Sequence, residues 1–335
     1  MPKLIVTNGD SAAGNIREAG IHGHLLEWRD MLHDGPVPAD DDLEVVSDTR
    51  AAYLAETFGL EFDSVRSDFA QRDGQIGAHI AYRDVELWFE HDLYDQLQLI
   101  QLLAFFAHEP ERLGLKLVQA DDYLGAMGPE AICALVPKAA PITAMQLEAG
   151  QHAWAAFTAP TPTAMAGLAA APIPELPFLA PAFRRSLCEL PAPGNGLSLT
   201  EERILRALVD GPRKVGHLFG AVTAQDEAKF LADLPFFQRV DALAFAREPL
   251  ITGVPFRANE CRPFTPAEEQ SPQERTYRAF AGTEIALTPA GEAALKGEFD
   301  HAAENRVDRW LGGTHIRPNA LWRYDRTTQR LKDPN

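Results

Sequence analysis

The chain has 335 residues, 46% of them hydrophobic and 24% charged, an ordinary composition for a folded protein with core material for two domains. No apolar run approaches the roughly 20 residues that a membrane-spanning helix needs, and the opening apolar run is too short for a signal peptide. The three cysteines are far apart and odd in number, which argues against a disulfide framework and predicts free thiols in a cytoplasmic protein.

The net charge of −17 is spread unevenly along the chain. Residues 196–335 carry 19 Lys and Arg against 20 Asp and Glu, whereas residues 1–195 carry 12 against 28. A surface as acidic as that of the front half repels phosphate backbones, which argues against nucleic acid as its partner.

Strand-like and helix-like patterns alternate in the front half. We predict strands at 4–6, 24–28, 85–89 and 115–118, and helices at 12–19, 43–58 and 93–106. Ser11 is the predicted N-cap of the first helix. This order is typical of an α/β fold with an open, largely parallel sheet and flanking helices. After residue 128 the strand patterns fade, and one helix is predicted at 142–157.

The sequence predicts four segments in chain order. They are an acidic α/β domain at 1–127, a helical extension packed on it at 128–190, a linker at 191–196 and a mainly helical, winged-helix-like domain at 197–335. The linker is rich in Pro and Gly, and the last domain ends in a basic and aromatic tail.

The winged-helix prediction rests on three helical patterns followed by a strand pattern. Ser198 and Glu201 match a capping box ahead of the first helix. Two further helices are predicted at 215–219 and 224–234, and 283–288 alternates like a wing strand. The candidate recognition helix, 224–234, has three acidic residues and one lysine, which argues against direct DNA binding.

Polar and ionisable residues follow four of the predicted strands. They are Asp10 and Ser11, then Arg29 and Asp30, then Glu90, His91 and Asp92, then Asp121. In open α/β sheets the carboxyl ends of neighbouring parallel strands meet at one edge, and ligands bind there. The sequence therefore predicts a ligand crevice at this edge.

The motif Asn8-Gly9-Asp10-Ser11 leads from a predicted strand into a predicted helix. Backbone N–H groups at the helix start could hold an anion, and Gly9 would let it approach closely. The alternative is simple helix capping by Asp10 or Ser11. The motif is not a Walker loop, because it lacks the second glycine and the lysine.

The segment from Glu90 to Gln96 is the densest group of ionisable residues in the chain. His91 and Asp95 are four residues apart and would share a helix face. Asp92 and Gln96 have the same spacing. Two carboxylates and an imidazole so placed could bind a divalent metal or perform acid–base chemistry. The alternative is that Asp92 caps the helix while His91 pairs with Asp95.

Arg29 ends another predicted strand and is followed by Asp30. A guanidinium suits bidentate contact with a phosphate or a carboxylate ligand. In so acidic a domain, neutralising nearby carboxylates is an equally good role for Arg29.

A serine hydrolase is a further alternative, because Gly9-Asp10-Ser11 resembles the opening block of the SGNH hydrolases, in which the serine is the nucleophile. Those enzymes supply Asp and His from a late D-x-x-H motif. The spacing occurs here at Asp30 and His33, early in the chain. This departure counts against a catalytic triad, although chain order is not a physical requirement.

Arginines and aromatic residues alternate in the tail. The arginines are Arg306, Arg309, Arg317, Arg323, Arg326 and Arg330, and the aromatic residues are Trp310, Trp322 and Tyr324. Such a composition can bind nucleic acid. We expect instead that the aromatics anchor the tail to its own domain and that the arginines dock on an acidic partner, for which the front domain, with 12 basic and 28 acidic residues, is the candidate.

Several of these motifs resemble one bacterial family, known as domain of unknown function 1835. The resemblance rests on Thr7-Asn8-Gly9-Asp10-Ser11, on Trp28-Arg29-Asp30 with Gly35-Pro36, and on Phe89 to Gln96. It extends to Asn195-Gly196-Leu197-Ser198, to Arg309-Trp310-Leu311-Gly312-Gly313 and to Trp322-Arg323, so it covers most of the chain. It implies the same architecture and leaves the activity open.

The leading functional hypothesis is a protein that binds a small phosphate-bearing or metal-bridged ligand in the strand-end crevice and performs hydrolysis or group transfer. The candidate catalytic residues are Asp10, Ser11, Glu90, His91, Asp92 and Asp95, and the candidate ligand-binding residues are Asn8, Gly9, Arg29, Asp30 and Gln96. A divalent metal is the candidate cofactor. The alternative is a regulatory protein whose winged-helix module docks protein or DNA.

Overall fold

The chain forms two compact units in a computed structural model that describes residues 2–40, 42–109, 112–261 and 275–334. Unit 1 comprises Met1–Ala51, Asp63–Arg185 and Gly312–Thr314. Unit 2 comprises Ala52–Phe62, Ser186–Leu311 and His315–Asn335. The predicted linker, 191–196, therefore lies inside unit 2.

The helices and strands alternate through the first half of the chain. In order they are β1 (Lys3–Thr7), α1 (Asp10–Glu18), β2 (His24–Glu27), β3 (Gly35–Pro36), α2 (Leu43–Phe58), α3 (Phe62–Gly77), β4 (Asp84–Phe89), α4 (Leu93–Ala107), β5 (Leu115–Gln119), α5 (Pro129–Cys133), β6 (Ala140–Pro141), α6 (Ala144–Phe157), α7 (Thr163–Ala169) and α8 (Leu179–Leu187). One turn of 3₁₀ helix at Leu124–Ala126 also bears on the site.

The second half is mainly helical with short strands. Its elements are α9 (Leu199–Ala207), β7 (Arg213–Lys214), α10 (Val215–Thr223), α11 (Asp233–Ala244), β8 (Ile251–Thr252), α12 (Tyr277–Gly282), β9 (Glu284–Leu287), α13 (Pro289–Lys296), α14 (His301–Glu304), β10 (Arg309–Gly312), β11 (Thr314–Ile316), β12 (Arg323–Asp325) and β13 (Arg330–Lys332).

A five-stranded sheet in the order β2-β1-β4-β5-β6 forms the centre of unit 1. The first four strands are parallel and β6 is antiparallel. Strands β1 and β4 are almost fully buried, because helices cover both faces of the sheet. Strands that are buried on both faces carry mainly apolar side chains. The predicted α/β fold with a largely parallel sheet is confirmed.

The direction of the chain connections reverses between β1 and β4. From β1 the chain passes through α1 to β2 on one side, and from β4 it passes through α4 to β5 on the other. Right-handed crossovers in opposite directions put the two helices on opposite faces of the sheet. Accordingly α1 packs against α5 and the Leu124–Ala126 turn, whereas α4 packs against α6. Such a reversal of strand order is where open α/β sheets bind ligands.

Helix α3 was missed by the sequence analysis. Its 16 residues bury only Phe69, Arg72 and Ile76. Helical periodicity is read from apolar residues on one face, and this helix uses a buried guanidinium in place of one of them. By contrast α2 has the predicted bounds.

Unit 2 contains the predicted winged-helix-like arrangement. Helix α9 is followed by β7, α10, α11, β8 and β9, and the three strands pair antiparallel in the order β7-β9-β8. The capping box of Ser198 and Glu201 is present at the start of α9. Helix α12 lies between β8 and β9.

The helix predicted at 224–234 is wrong. The third helix of this module is α11, which begins at Asp233. Pro235 is compatible with the first turn of a helix as well as with a position just after one, and the structure places it in the first turn. Upstream, Asp226 accepts a hydrogen bond from Arg203 (2.6 Å) in an irregular segment.

Arginines of the tail pair with carboxylates of unit 2 itself. Arg309 binds Glu201 at 2.6 Å, Arg323 binds Asp300 at 2.6 Å, and Arg326 binds Glu202. Tyr324 is buried. The tail is thus held to its own unit by both ion pairs and aromatic burial.

None of the helices in the described part of the chain is long and apolar enough to cross a membrane.

Candidate functional site

Asn8 joins the ends of β1 and β4 across the crevice. Its side-chain amide donates hydrogen bonds to Glu90 Oε1 (3.1 Å) and to Asp95 Oδ2 (2.7 Å). Asn8 follows β1 directly, whereas Glu90 follows β4 and Asp95 lies in the first turn of α4. The predicted convergence of residues from two strand ends therefore occurs at this point.

Three carboxylates form a buried cluster beneath Asn8. Glu90, Asp92 and Asp95 each contribute an oxygen, and these oxygens all lie within 4.8 Å of one another. The side chains are almost wholly buried, Asp95 completely so. We refer to these three residues as the acidic cluster.

The start of α4 fixes the geometry of the acidic cluster. Asp92 is the N-cap, and its Oδ1 accepts a hydrogen bond from the Asp95 backbone N–H (3.1 Å). Asp95 reaches back so that its Oδ1 accepts from the Glu90 N–H (2.7 Å). The capping alternative for Asp92 is thus present in the structure together with the cluster, because one oxygen caps and the other is left to face Glu90.

The Leu124 backbone N–H completes the environment of Glu90. It donates to Glu90 Oε1 at 2.7 Å from the 3₁₀ turn that follows β5. Asp121 in this loop was predicted to lie at the site because of its charge, but its side chain is exposed. The contact with Glu90 is made instead by a main-chain N–H group three residues later. A backbone donor leaves no trace in residue type, so no signal in the sequence could have identified it.

Burial raises the pKa values of all three acidic groups. The pKa of Asp92 rises to about 7, through burial first and the neighbouring Glu90 charge second. Burial raises the pKa of Asp95 well above its usual value, and the charges of Asp92 and Glu90 add to the effect. The pKa of Glu90 is raised by burial against the opposing hydrogen bonds from Leu124 and Asn8.

The oxygens of the acidic cluster lie close enough together for the titration of its three groups to be coupled. Both oxygens of Asp95 already accept N–H hydrogen bonds, so a proton on Asp95 would face a donor. At Asp92, burial and the neighbouring Glu90 charge raise the pKa to about 7. Asp92 is therefore the group on which we expect the cluster to hold a proton near neutral pH.

Within the described residues, no lysine or arginine forms an ion pair with the acidic cluster. Buried charges are ordinarily paired or bound to a metal, since desolvating a lone carboxylate costs several kcal/mol. The cluster consequently has two ways to reach electrical balance, by taking up protons or by binding a cation.

The start of α1 lies open beside Asn8. Gly9 is the N-cap and α1 begins at Asp10, with no side chain capping the free N–H groups. The predicted capping by Ser11 is wrong, because Ser11 is the second residue of the helix and its side chain is exposed. A Cβ built on Gly9 would meet nothing within 4 Å, so there is room for an anion at this helix start.

Arg29 and Asp10 form an exposed ion pair at the rim of the crevice. Arg29 Nε lies 3.0 Å from Asp10 Oδ2 and Nη2 lies 2.5 Å from Oδ1. The hydrogen bonds with Asp10 raise the pKa of Arg29 above its ordinary value. The neutralising role considered for Arg29 is therefore observed. A pair this exposed contributes little to stability, and a ligand anion could replace Asp10 on the guanidinium at low cost.

Asp30 lies outside the acidic cluster. Its carboxylate binds Arg50 Nη2 at 2.9 Å, and both side chains are fully buried. Arg50 also donates to the carbonyl oxygens of Met31 (2.9 Å) and Asp34 (2.8 Å). This guanidinium therefore organises the loop after β2, and Asp30 is its counter-ion.

His91 points to an aromatic group rather than to Asp95. Its ring centroid lies 5.3 Å from that of Tyr123 and 5.9 Å from that of Phe178. His91 Nδ1 is buried and makes no hydrogen bond within the described residues. The proposed pairing of His91 with Asp95 is absent, because the partners of Asp95 are the Glu90 backbone and Asn8.

Gln96 lies beside Glu90. Its Nε2 donates to the Glu90 carbonyl oxygen at 2.6 Å. Its Oε1 is buried and accepts no hydrogen bond within the described residues. The side chain thus offers a buried acceptor next to the acidic cluster.

Ser11 lacks the surroundings of a hydrolase nucleophile. Its hydroxyl makes no hydrogen bond to a histidine among the described residues. Of the two residues in the early D-x-x-H motif, Asp30 forms an ion pair with Arg50, and His33 is buried with its ring against Tyr94. The observed contacts do not assemble a Ser-His-Asp relay.

No protein-family model matches this chain, and no curated protein matches it. Membership of the family named above therefore stays a prediction.

Proposed function

We propose that this protein binds a divalent cation at Glu90, Asp92 and Asp95 and uses it to hold a small phosphate-bearing ligand for hydrolysis or group transfer. The single observation that carries the proposal is the burial of three carboxylates within 4.8 Å of one another with no ion-paired lysine or arginine among the described residues. Without a cation this arrangement is costly, and with one it is an ordinary oxygen-ligand set.

The donor set favours a hard cation. Carboxylate and amide oxygens suit Mg²⁺, Mn²⁺ and Ca²⁺, whereas zinc and copper sites use His and Cys. His91 turns towards Tyr123, so it does not add a nitrogen ligand in the observed rotamer. Glu90, Asp92 and Asp95 would each supply a ligand oxygen, and the hydrogen bond from the Glu90 backbone N–H would hold Asp95 in place.

The ligand's phosphate fits beside the cation, at the start of α1. Unsatisfied N–H groups and the positive end of the helix favour an anion there. Arg29 lies at the rim and would exchange Asp10 for a phosphate, which it can bind with two parallel hydrogen bonds. Because Gly9 leaves open space, the anion can reach the main chain.

Cation binding and protonation compete at Asp92. Burial and the Glu90 charge raise the pKa of Asp92 to about 7 in the metal-free protein, so a cation that binds near neutral pH replaces a proton there. A bound cation would polarise a phosphoryl oxygen and stabilise developing charge. Asn8 is a positioning residue, since it holds Glu90 and Asp95 together, and Gln96 Oε1 can accept a hydrogen bond from a ligand hydroxyl or water.

Calorimetric titration with Mn²⁺ and Mg²⁺ tests the proposal directly. We expect one site per chain in the wild type, with proton release on binding near pH 7, because the cation displaces the proton that Asp92 holds. Asp92→Asn should abolish binding while the protein stays folded, since its amide can both cap α4 and donate to Glu90. Asp121→Asn is the matched control, because it removes an exposed carboxylate from a neighbouring strand end.

A wild type that binds neither metal at millimolar concentration would refute metal dependence. Equal binding in Asp92→Asn and the wild type would place the metal elsewhere. Inorganic phosphate, added with and without Mn²⁺, then tests the second half of the proposal. Phosphate should bind more tightly when Mn²⁺ is present, and Arg29→Ala should remove that gain while leaving Mn²⁺ binding intact.

The order of elements in unit 2 supports a second candidate, a module that docks another protein. The winged-helix-like arrangement of α9 to β9 is the observation that favours it. Helix α11, in the recognition position, carries Asp233, Arg239 and Asp241 and so has a net charge of −1. That charge favours a protein partner over DNA. Failure of the full-length chain to bind DNA and to retain any protein in crosslinking would remove this candidate.

A further inference from the structure

A second concave site lies in unit 1 where α2 and α3 meet the C-terminal half of α4. The groove has a volume of about 430 Å³, within the usual range for small-molecule sites. Leu43, Ala70 and Phe105 contribute apolar surface, and Asp42, Glu44 and Asp73 contribute carboxylates. Phe105 is ten residues beyond Asp95 on α4, about 15 Å along the helix axis, so the groove is separate from the acidic cluster.

A small cavity of about 10 Å³ adjoins the groove, because Leu43 and Phe105 line both. Gln101 lines this cavity and is 2% exposed. Its Oε1 accepts a hydrogen bond from Trp28 Nε1 (2.8 Å), which fixes the orientation of the amide. Its Nε2 has no partner within the described residues. A buried N–H donor without an acceptor destabilises the folded state, so an oxygen atom in this cavity would be stabilised by a hydrogen bond from Gln101 Nε2. The cavity volume limits that group to about the size of a hydroxyl.

The mouth of the groove is negatively charged. Arg66 forms ion pairs with Glu44 and Asp48, and Arg72 pairs with Asp73. Asp42 forms no ion pair with a described residue, and neither does Asp40, which lines the adjoining cavity. Counting these seven residues, five acidic groups face two guanidinium groups. An anionic ligand is therefore disfavoured, and a cation is favoured at this end.

We propose that the groove binds an amino alcohol, a small organic cation with an apolar body and a hydroxyl group. The hydroxyl oxygen accepts the hydrogen bond from Gln101 Nε2 in the cavity. The aliphatic body lies against Leu43 and Phe105. The ammonium group lies at the mouth near Asp42. This site is independent of the function proposed for the acidic cluster.

Ligand-observed NMR titration of the full-length protein with aminopentanol tests the proposal. Three matched compounds separate its parts: pentylamine lacks the hydroxyl, pentanediol lacks the amine, and pentanoate reverses the charge. We expect pentylamine to bind about fivefold to tenfold more weakly than aminopentanol, because one buried hydrogen bond is lost. Pentanediol should bind about twofold to fivefold more weakly, since an exposed ion pair contributes less. Pentanoate should bind most weakly.

Two variants place the binding in the groove. Asp42→Asn keeps the cap on α2, in which Asp42 Oδ1 accepts from the Glu44 N–H (2.9 Å), and should reduce the preference for aminopentanol over pentanediol. Gln101→Met should abolish the preference for aminopentanol over pentylamine. Glu130→Gln, which removes an exposed charge on α5, is the control and should bind aminopentanol like the wild type.

Three results would overturn the proposal. They are no aminopentanol binding at millimolar concentration, pentanoate binding at least as tightly as aminopentanol, and unchanged selectivity in both groove variants. Gln101→Met also removes the acceptor of the Trp28 N–H, so its thermal unfolding is measured first. If that variant does not fold, the ratio of aminopentanol to pentylamine affinity in the wild type decides, and a ratio near one would overturn the proposal.

Discussion

Buried carboxylates occur in both units, but their pKa values are shifted in opposite directions. In unit 2, Glu201 is fully buried, yet its pKa falls to about 2, because Arg309, His301 and Arg239 outweigh the effect of burial. In unit 1, the acidic cluster is equally buried, and its pKa values rise because such partners are missing among the described residues. Burial of a carboxylate therefore does not by itself indicate a ligand site. A buried carboxylate that is paired with a cationic side chain has a structural role, whereas one without such a partner is a candidate to bind a cation or a proton.

Arg50 and Asp30 extend the comparison within unit 1, and changing them should give the largest effect. Arg50→Met would leave Asp30 buried without its cation and would orphan carbonyl oxygens of the loop after β2. We expect a loss of roughly 3–5 kcal/mol in the free energy of unfolding. Chemical denaturation measures it.

Arg66→Met is the control for that experiment. Arg66 pairs with exposed carboxylates of α2, so its loss should cost less than about 1 kcal/mol. Adding Asp30→Leu to Arg50→Met should recover part of the stability. Equal losses in the two single arginine variants would contradict the distinction between a balanced buried pair and a surface pair.

Asp95→Asn should cause the next largest change in the free energy of unfolding, and we expect that change to be destabilising. Both oxygens of Asp95 accept N–H groups, so an amide nitrogen in either position would face a donor. We expect a loss of about 1–3 kcal/mol. Glu90→Gln is the isosteric counterpart, because its Oε1 can still accept from Asn8 and Leu124 while the charge that raises the pKa of Asp92 is removed. It should be neutral or stabilising in metal-free buffer, and a large loss of stability in Glu90→Gln would contradict repulsion between Glu90 and Asp92.

The pH dependence of the free energy of unfolding should report the raised pKa of Asp92 in the acidic cluster. The pKa of Asp92 is about 7 in the folded chain and lies near 3.8 when unfolded, so between these values the folded state binds more protons. Stability from this group is complete below pH 3.8 and is lost as pH rises towards 7. The slope is about 1.4 kcal/mol per pH unit for each extra proton.

Asp92→Asn should flatten that part of the profile, measured as denaturation midpoints between pH 4.5 and about 7.5. Glu201→Gln should act in the opposite direction, because a lowered pKa contributes stability above its ordinary value that is lost as pH falls towards 2. Identical pH profiles for the wild type and Asp92→Asn would contradict the raised pKa.

Arg29→Ala should have the smallest effect on stability. The pair with Asp10 is exposed, so we expect a change below about 1 kcal/mol in thermal unfolding. The gain in phosphate affinity that Mn²⁺ gives the wild type should nevertheless be lost. A large loss of stability would mean that Arg29 is structural, as Arg50 is.

The sequence predicted those parts of the fold that depend on apolar periodicity and chain order. Strands β1, β2, β4 and β5 and helices α2 and α4 are close to their predicted bounds, because each carries a long apolar pattern. Helix α3 escaped prediction because Arg72 replaces an apolar residue in its buried face, and α11 was misplaced because Pro235 allows two interpretations. The first failure comes from a tertiary contact that overrides the local pattern, and the second comes from a local signal with two interpretations.

The candidate site was predictable only as a location. Strand ends indicated that residues after β1 meet residues after β4, although the convergence was expected of Asp10 and Ser11 rather than Asn8. Residue type could not separate Asp92, which lies close to Glu90, from Asp30, which pairs with Arg50. Twenty residues separate Asp30 from its partner, and the Leu124 donor is main chain. Which carboxylate has a counter-ion is a property of three-dimensional packing, and the function of each one depends on it.

Thermal unfolding of the wild type and Asp92→Asn, each with and without Mn²⁺ at pH 7, decides whether the acidic cluster is a cation site. Without metal, Asp92→Asn should be at least as stable as the wild type, because it relieves the unbalanced charge. Mn²⁺ at a hundred times its dissociation constant should stabilise the wild type by roughly 2.7 kcal/mol and leave the variant unchanged. Equal responses of the two proteins to Mn²⁺, or a variant that is strongly destabilised without metal, would contradict the account.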